Sequence, residues 1–245
     1  MLLPQRLSLP TNISLGFSNR QGGISPQPFQ SLNMSITQGD SVDNVSMNRQ
    51  LFLNKIGVTQ NQLAQPIQIS RDGVRLVDSP GNYENQDALI TVTPGLFLSV
   101  LTADCSPILI WSDESPVAAA VHSGWQGSEL NILGQTLHKI IDTLQIDPSS
   151  LYLAIGPGLS QDNFEVGPEF GEKFSVTYLR AQSKTDRFYF DNNRFLVDTA
   201  IQSGVLAEHI EVLPFCTFRD GKLFFSHRRD GVQTGRMMSV IGINI

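Results

Sequence analysis

The sequence predicts one mixed domain of the α+β or mixed α/β class over residues 1–245, with mixed sheets flanked by helices. Strand-like apolar runs alternate with amphipathic helical patterns at irregular spacing, unlike a barrel or a doubly wound sheet. No Pro/Gly/Ser-rich linker or charge block divides the chain. Hydrophobic residues make up 40% and charged residues 16% of the 245 residues, which is typical of a globular protein with one substantial core.

The first helix is predicted after Asp40 or Ser41, either of which can cap it. Val45 and Phe52 then recur at helical spacing, and Arg49 lies on the same apolar stripe. Either its stem packs while its charged end reaches water, or the guanidinium reaches a buried anion such as a phosphate. The spacing alone favours the first interpretation.

Later elements follow from the same patterns. Helices are predicted after Ser128, around residues 168–178 and near residues 198–203, where Gly204 ends the last one. Predicted strands are ISLGF, ALITVT, LFLSVLTA, PILIW, PVAAAV, LYLAIGPG, IEVL, KLFFS and MMSVIGI.

Charge and targeting patterns narrow the classes of function. Lys+Arg 17 against Asp+Glu 23 gives a net charge of −6, which argues against nucleic acid or an anionic membrane as partner. The sequence has no signal-peptide pattern and no uninterrupted apolar stretch of ~20 residues. Cys105 and Cys216 are therefore expected to be free thiols in a cytoplasmic protein.

Cys105 stands just after the apolar run LFLSVLTA, and His122 stands just after the run PVAAAV, where each run gives way to small and polar residues. An antiparallel hairpin that pairs Trp111 with Pro116 places Cys105 opposite His122, with Cβ atoms ~5 Å apart. Three interpretations stay open: two core residues, a thiol activated by an imidazole, or two ligands of a zinc ion. The glycine turn after His122 leads into a helix, whose N-terminus suits an anion.

Several blocks of sequence resemble one known family. ADCSPILI, AAVHSGWQGS, AIGPGLSQDNFEVG and FFSHRRDGVQTGRM, preceded by GFSNRQGGIS and SLNMS, are similar to the signature motifs of the laccase-domain proteins, also called YfiH-type or polyphenol oxidase family proteins. The match runs in order over nearly the whole chain. It implies a single YfiH-type domain, distantly similar to toxin deamidase domains.

The resemblance also implies an activity. Family members are zinc-dependent enzymes that phosphorolyse purine nucleosides such as adenosine, inosine and methylthioadenosine, and some deaminate adenosine. We therefore expect a purine nucleoside phosphorylase, a pentosyltransferase with phosphate as co-substrate, with adenosine deaminase as a second activity. Two alternatives stay open: a metal-free Cys–His hydrolase or deamidase, and a non-catalytic nucleoside-binding paralogue.

The family motifs map onto particular residues of this chain. The Cys of A-D-C and the His of H-A-G-W-R-G correspond to Cys105 and His122, which the resemblance makes both catalytic residues and zinc ligands. Arg49 stands in the N-R motif, and the resemblance implies that it contacts phosphate, with Asn33 and Gln68 as further substrate or phosphate contacts.

The metal motif departs from the family. Where members have Q-V-H-G, this chain has QISR, so Ser70 replaces the third zinc ligand, a histidine. A serine hydroxyl is a poor zinc ligand beside imidazole or thiolate, so zinc is expected to bind weakly or not at all. Asp72 or Asp104 could supply an oxygen instead. Gln126 replaces the arginine usual in G-W-R-G.

Two further patterns concern the histidines and the arginines of the chain. The chain has four scattered histidines and no H-x-H pair, so a multicopper oxidase is rejected and no copper is expected. Arg228, Arg229 and Arg236 form the densest basic cluster, interpreted as ion pairs with Asp220 and Asp230 rather than as an anion site.

Overall fold

The computed structural model describes residues 1–183 and 185–245. Two large mixed sheets, three-stranded sheet III and short helices form the domain. The strands are β1 (Ile13–Phe17), β2 (Leu63–Ile67), β3 (Val74–Leu76), β4 (Gly81–Glu84), β5 (Ala88–Thr91), β6 (Phe97–Thr102), β7 (Ser106–Ser112), β8 (Ala118–Ser123), β9 (Leu151–Ile155), β10 (Glu165–Val166), β11 (Leu179–Ala181), β12 (Phe188–Phe190), β13 (Ile210–Val212) and β14 (Met237–Ile243). The helices are α1 (Val42–Leu53), α2 (Trp125–Glu129), α3 (Ile132–His138), α4 (Phe170–Lys173), α5 (Asn192–Gln202) and α6 (His227–Asp230).

The sheets have mixed strand directions, as the sequence predicts. Sheet I has the order β1-β14-β6-β2-β4, and its β1, β14 and β6 are antiparallel neighbours. Sheet II has the order β13-β9-β7-β8-β5-β3, with the β7–β8 hairpin at its centre. Sheet III consists of β10, β12 and β11. The irregular order explains why neither a barrel nor a doubly wound pattern is visible in the sequence.

Four layers bury the core. Sheet I and sheet II face each other through side chains such as Leu98, Ile241 and Trp111. The far face of sheet II packs on α3 and α5, and the far face of sheet I packs on α1 through Phe52. Both faces of the central strands are therefore apolar, which is why β7 and β8 read as continuous hydrophobic runs.

Local signals decide where the helices begin. Helix α1 starts after Ser41, as predicted, although the hydroxyl of Ser41 makes no capping hydrogen bond. Helix α5 begins earlier than predicted because the carboxylate of Asp191 accepts the N–H of Arg194 at 3.0 Å. The single helix predicted after Ser128 is instead α2 and α3, separated by the left-handed Asn131 (φ 57°), with a π-helical turn over Lys139–Thr143.

Two predictions near the C-terminal half are wrong. Only α4 and a 3₁₀ turn at Val176–Tyr178 form within residues 168–178, because Phe174 is extended. The segment KLFFS forms no strand. Leu223 and Phe224 close a turn on the carbonyl of Asp220, and a small apolar cluster buries the phenylalanines without a ladder.

None of the helices in the described ranges combines the length and apolar character of a bilayer-spanning helix. The longest, α1, has 12 residues.

Candidate active site

The candidate site lies at one end of the two facing sheets. Cys105 sits in the short connection from β6 to β7, and His122 lies near the end of β8. Asp87 directly precedes β5, and Ser70 follows β2. Since β5 and β7 run antiparallel to β8, their starts meet its end at this edge. The fold therefore gathers residues that are far apart in sequence.

A cavity of about 840 Å³ opens at this edge, within the size range of small-molecule sites. Its wall includes Cys105, His122, Ser70 and the apolar side chains of Ile36 and Ile67. The remaining predicted site residues in the wall are Arg49 and Gln68. Most of the predicted site residues thus share one cavity.

The register of the β7–β8 hairpin corrects the predicted one. Trp111 pairs with Ala118 and Pro107 with His122, a shift of two residues from the predicted ladder. Pro116 has no N–H to donate, so the ladder starts after it. A slip of two leaves each side chain on its original face, so Cys105 and His122 still lie on the same face and in reach.

A strained turn presents Cys105. Asp104 has φ 95°, a left-handed value that costs energy for a residue other than glycine. Its carboxylate is fixed on both sides: Oδ1 accepts from the hydroxyl of Thr217 at 2.6 Å, and Oδ2 accepts the N–H of Arg228 at 2.6 Å. These bonds hold the backbone beside the thiol and leave Asp104 with both oxygens engaged.

Asp87 joins the two halves of the site, and sequence reasoning missed it. Its fully buried carboxylate accepts the N–H groups of Ile69 at 3.2 Å, Ser70 at 3.0 Å and Arg71 at 2.8 Å. Nδ1 of His122 donates to the same carboxylate at 2.7 Å. Burial alone would raise the pKa of Asp87, but the bonds from His122 and the backbone hold it below its ordinary value.

His122 is held between Asp87 and Cys105. Burial alone would lower the pKa of His122, but Cys105 and then Asp87 raise it from 6.5 to about 9. Because Nδ1 faces Asp87, Nε2 is the ring nitrogen left to face Cys105. The three side chains form a thiol, an imidazole and an orienting carboxylate, the arrangement of a nucleophile or acid–base site.

The donor set does not fit a three-ligand zinc centre. Zinc at a catalytic site takes three protein ligands, and the described residues contain no group of three His, Cys, Asp or Glu side chains with such geometry. Asp104 lies in the cavity wall, but its carboxylate is held by Thr217 and by the N–H of Arg228, and it completes no such group with Cys105 and His122 among the described residues. Asp72 accepts a bond from Gln135 at 3.2 Å and lies outside the cavity wall. The described residues therefore do not form a three-ligand centre for zinc or copper.

Arg49 reaches the cavity rather than bulk water. Its Nε donates to the carbonyl of Met34 at 2.9 Å, and its Nη1 donates to Gln65 at 3.3 Å. Burial lowers the pKa of Arg49. The stem does pack beside α1, but the charged end points to the site, as the second interpretation requires.

Asn33 and Gln68 are placed differently from expectation. Asn33 is fully buried behind the cavity wall, and its Oδ1 accepts the N–H of Ser35 at 3.1 Å and of Arg236 at 2.9 Å. Its side chain therefore holds the backbone of Ser35 and Arg236 and is not part of the cavity wall. Gln68 does line the cavity, but its amide pairs with the backbone of Leu101, at 2.7 Å and 2.8 Å.

The basic cluster of Arg228, Arg229 and Arg236 divides into two roles. Arg229 is structural, as predicted, because it pairs with Asp230 and donates to backbone carbonyls such as that of Phe224. Asp220 pairs with Arg219 rather than with the cluster. Arg228 and Arg236 line the cavity. For Arg228 and Arg236 the ion-pair interpretation is wrong, since neither guanidinium has a carboxylate within 4.0 Å among the described residues.

The sequence did not assign Asp87 to the site, and it did not assign the cavity-lining Arg228 and Arg236. A carboxylate immediately before the fully buried strand ALIT is the signal that could have identified Asp87, since such a residue stands at a strand end. Arg236 has the corresponding position before β14.

Comparison with known proteins places the chain in a family. Residues 14–244 match the family described as "Multi-copper polyphenol oxidoreductase laccase". The chain belongs to this family. Membership of the laccase-domain family agrees with the resemblance of the sequence motifs, and the word copper in the description does not correspond to a donor set in the described residues.

Relatives of the same laccase-domain family carry a functional name. A protein of Shigella flexneri named purine nucleoside phosphorylase YfiH is 32% identical, over 98% of each chain. A purine nucleoside phosphorylase of Deinococcus radiodurans is also 32% identical, over 93% of this chain and 88% of the relative. These two matches cover 93% and 98% of this chain.

Solved structures confirm the YfiH-type fold. YlmD from Geobacillus stearothermophilus matches with a TM-score of 0.91 at 27% identity, covering 96% of this chain and 93% of that one. A YfiH protein from Bacillus licheniformis matches with a TM-score of 0.90 at 25% identity, covering 95% and 93%.

Proposed function

We propose that the protein is a purine nucleoside phosphorylase that acts on adenosine, inosine or methylthioadenosine, with phosphate as co-substrate. One observation carries the proposal. The guanidinium of Arg49 is withdrawn from water, lacks a carboxylate partner within 4.0 Å among the described residues, and shares a cavity with Cys105 and His122. A small anion bound there would satisfy this charge.

The reaction needs few protein groups. A phosphate oxygen forms a bond to C1′ of the ribose while the bond from C1′ to the purine nitrogen breaks. The bonding electron pair leaves with the purine, which takes up one proton, and the products are the free base and ribose 1-phosphate. In the proposal Arg49 holds the phosphate, and the Cys105–His122 pair exchanges the proton while Asp87 fixes the ring of His122.

The cavity also suits the substrate class in size and polarity. Its volume of about 840 Å³ accommodates a nucleoside beside a phosphate, and its wall combines apolar side chains with a few polar groups. Exposed Ile36 and Ile67 stand at this wall and offer apolar surface to a purine ring. The relatives named purine nucleoside phosphorylase support the same class of substrate.

The test is a product assay with and without phosphate. The protein is incubated with adenosine, inosine and methylthioadenosine, and the bases and nucleosides are separated by chromatography. Phosphate-dependent base release that disappears in Cys105→Ala supports the proposal. Cys216→Ser, which changes the other free cysteine, is the control and should keep the activity. The proposal fails when no purine nucleoside gives phosphate-dependent base.

A second candidate is a metal-free Cys–His hydrolase or deamidase. The carboxylate–imidazole–thiol arrangement of Asp87, His122 and Cys105 favours it, since a cysteine hydrolase uses the same three groups. Its product would form equally well without phosphate. Ammonia or base released in phosphate-free buffer, and lost in Cys105→Ala, would select this candidate over the phosphorylase.

A further inference from the structure

Two half-buried guanidinium groups face the same cavity without a carboxylate partner within the described residues. Arg49 comes from α1 and Arg236 immediately precedes β14. Within residues 1–183 and 185–245, neither forms an ion pair within 4.0 Å. Burial lowers the pKa of each. A desolvated cation without an anion is costly, so the pair calls for a ligand.

The two arginines are anchored on one short piece of backbone. The carbonyl of Met34 accepts Nε of Arg49 at 2.9 Å, while the N–H of Met34 donates to the carbonyl of Arg236 at 3.1 Å. The adjacent Asn33 accepts the N–H of Arg236 at 2.9 Å. Asn33 is itself fixed, because its amide nitrogen donates to the carboxylate of Asp40 at 2.9 Å. The separation of the two arginines is therefore set by a rigid support.

Each guanidinium keeps donors for a ligand. The hydrogen bonds of Arg49 within the described chain use Nε and Nη1, and those of Arg236 use Nη1, on the carbonyls of Thr234 at 2.9 Å and Gly235 at 3.1 Å. The remaining nitrogens include Nη2 of both residues. The carboxylate of Asp104 also acts on Arg236, but it already accepts hydrogen bonds from Thr217 and from the N–H of Arg228.

We propose that Arg49 and Arg236 form a clamp for one tetrahedral oxyanion, and that Asn33 sets its geometry from behind the cavity wall. Planar guanidinium groups bind such anions through paired N–H donors, and two of them balance a dianion. The assignment of the anion as the phosphate co-substrate rests on the proposed phosphorylase function. The clamp gives Arg236 the role of a binding residue, and a positioning role to Asn33.

The test measures binding of inorganic phosphate to the full chain without nucleoside, by calorimetry and by the phosphate-dependent rise of the melting temperature. Wild type binds one phosphate. Arg49→Met and Arg236→Met each weaken binding at least tenfold, and Arg236→Lys, which keeps the charge but not the fork, weakens it less. Arg75→Met removes one exposed charge outside the cavity and leaves the affinity unchanged.

The outcomes separate this inference from the proposed function. Unchanged phosphate affinity in both folded Arg236 variants overturns the clamp, whether or not the enzyme releases base. Phosphate binding that requires both arginines, without base release from any purine nucleoside, supports the clamp and overturns the phosphorylase. A wild type that binds no phosphate overturns both. If Arg236→Met does not fold, Arg236→Lys supplies the measurement, with the phosphate KM as the second readout.

Discussion

Replacing Asp87 by asparagine should destabilise the protein strongly. Its Oδ1 accepts from Ser70 and His122, and its Oδ2 accepts from Ile69 and Arg71. Whichever oxygen becomes an amide nitrogen, two N–H donors lose their acceptor inside a fully buried site. Hydrogen bonds to a charged group contribute about 1.5–3 kcal/mol each, so two of them correspond to about 3–6 kcal/mol.

The melting temperature reports this loss directly. For a chain of this size 1 kcal/mol shifts it by about 2–4 °C, so Asp87→Asn should melt roughly 6–24 °C below wild type. Asp72→Asn is the matched control, because Asp72 directly follows residues 69–71, which donate to Asp87, and itself accepts one side-chain bond, from the exposed Gln135. If both variants melt within two or three degrees of wild type, the central role of Asp87 is refuted.

Three further predictions follow from the site. Ser70→His should restore a third zinc ligand, since histidine tolerates the left-handed backbone at this position (φ 58°). Elemental analysis should find about one zinc per chain in the variant and less in wild type, and equal zinc contents would contradict the prediction. The stabilisation from protonated His122 should be complete below pH 6.5 and disappear as the pH rises through about 9, because the pKa of His122 is raised in the folded protein. Denaturation of wild type and His122→Gln across this range measures the free energy of unfolding, and parallel dependences on pH would contradict the prediction. Gly124→Ala would place its Cβ 2.9 Å from Sγ of Cys105 and should lower the activity. Gly171→Ala, whose Cβ would meet its nearest atom at 4.0 Å, is the control and should not, and equal activities of the two variants would contradict the prediction.

The sequence predicted the central part of the site because side chains alternate along a strand, and this alternation fixes the face of the sheet on which each side chain lies. Cys105 and His122 were expected together on one hairpin, and they are, although the ladder is shifted by two residues. The shift arises at Pro116, where a missing N–H delays the start of β8. A register shift of two residues leaves each side chain on the same face of the sheet, so the predicted face is correct although the predicted register is wrong.

Long-range contacts explain what the sequence did not predict. Asp87 gains its role from residues 69–71 and from His122, which stand 16–18 and 35 positions away. Arg236 was interpreted through its neighbours in sequence, but its backbone is held by Asn33, 203 positions away. The positions of polar residues along the sequence do not indicate such long-range hydrogen bonds. The segment KLFFS shows the same limit, since its burial comes from a cluster and not from a ladder.

The position of β14 has a consequence for how the protein is made. This strand lies between β1 and β6, and Arg236 enters the cavity immediately before it. A chain emerging from the ribosome can form the β7–β8 hairpin early, but sheet I stays split until β14 inserts between strands synthesised long before it. In the proposed clamp, Arg236 joins Arg49 only after β14 has been synthesised, so phosphate binding would report a completed sheet I.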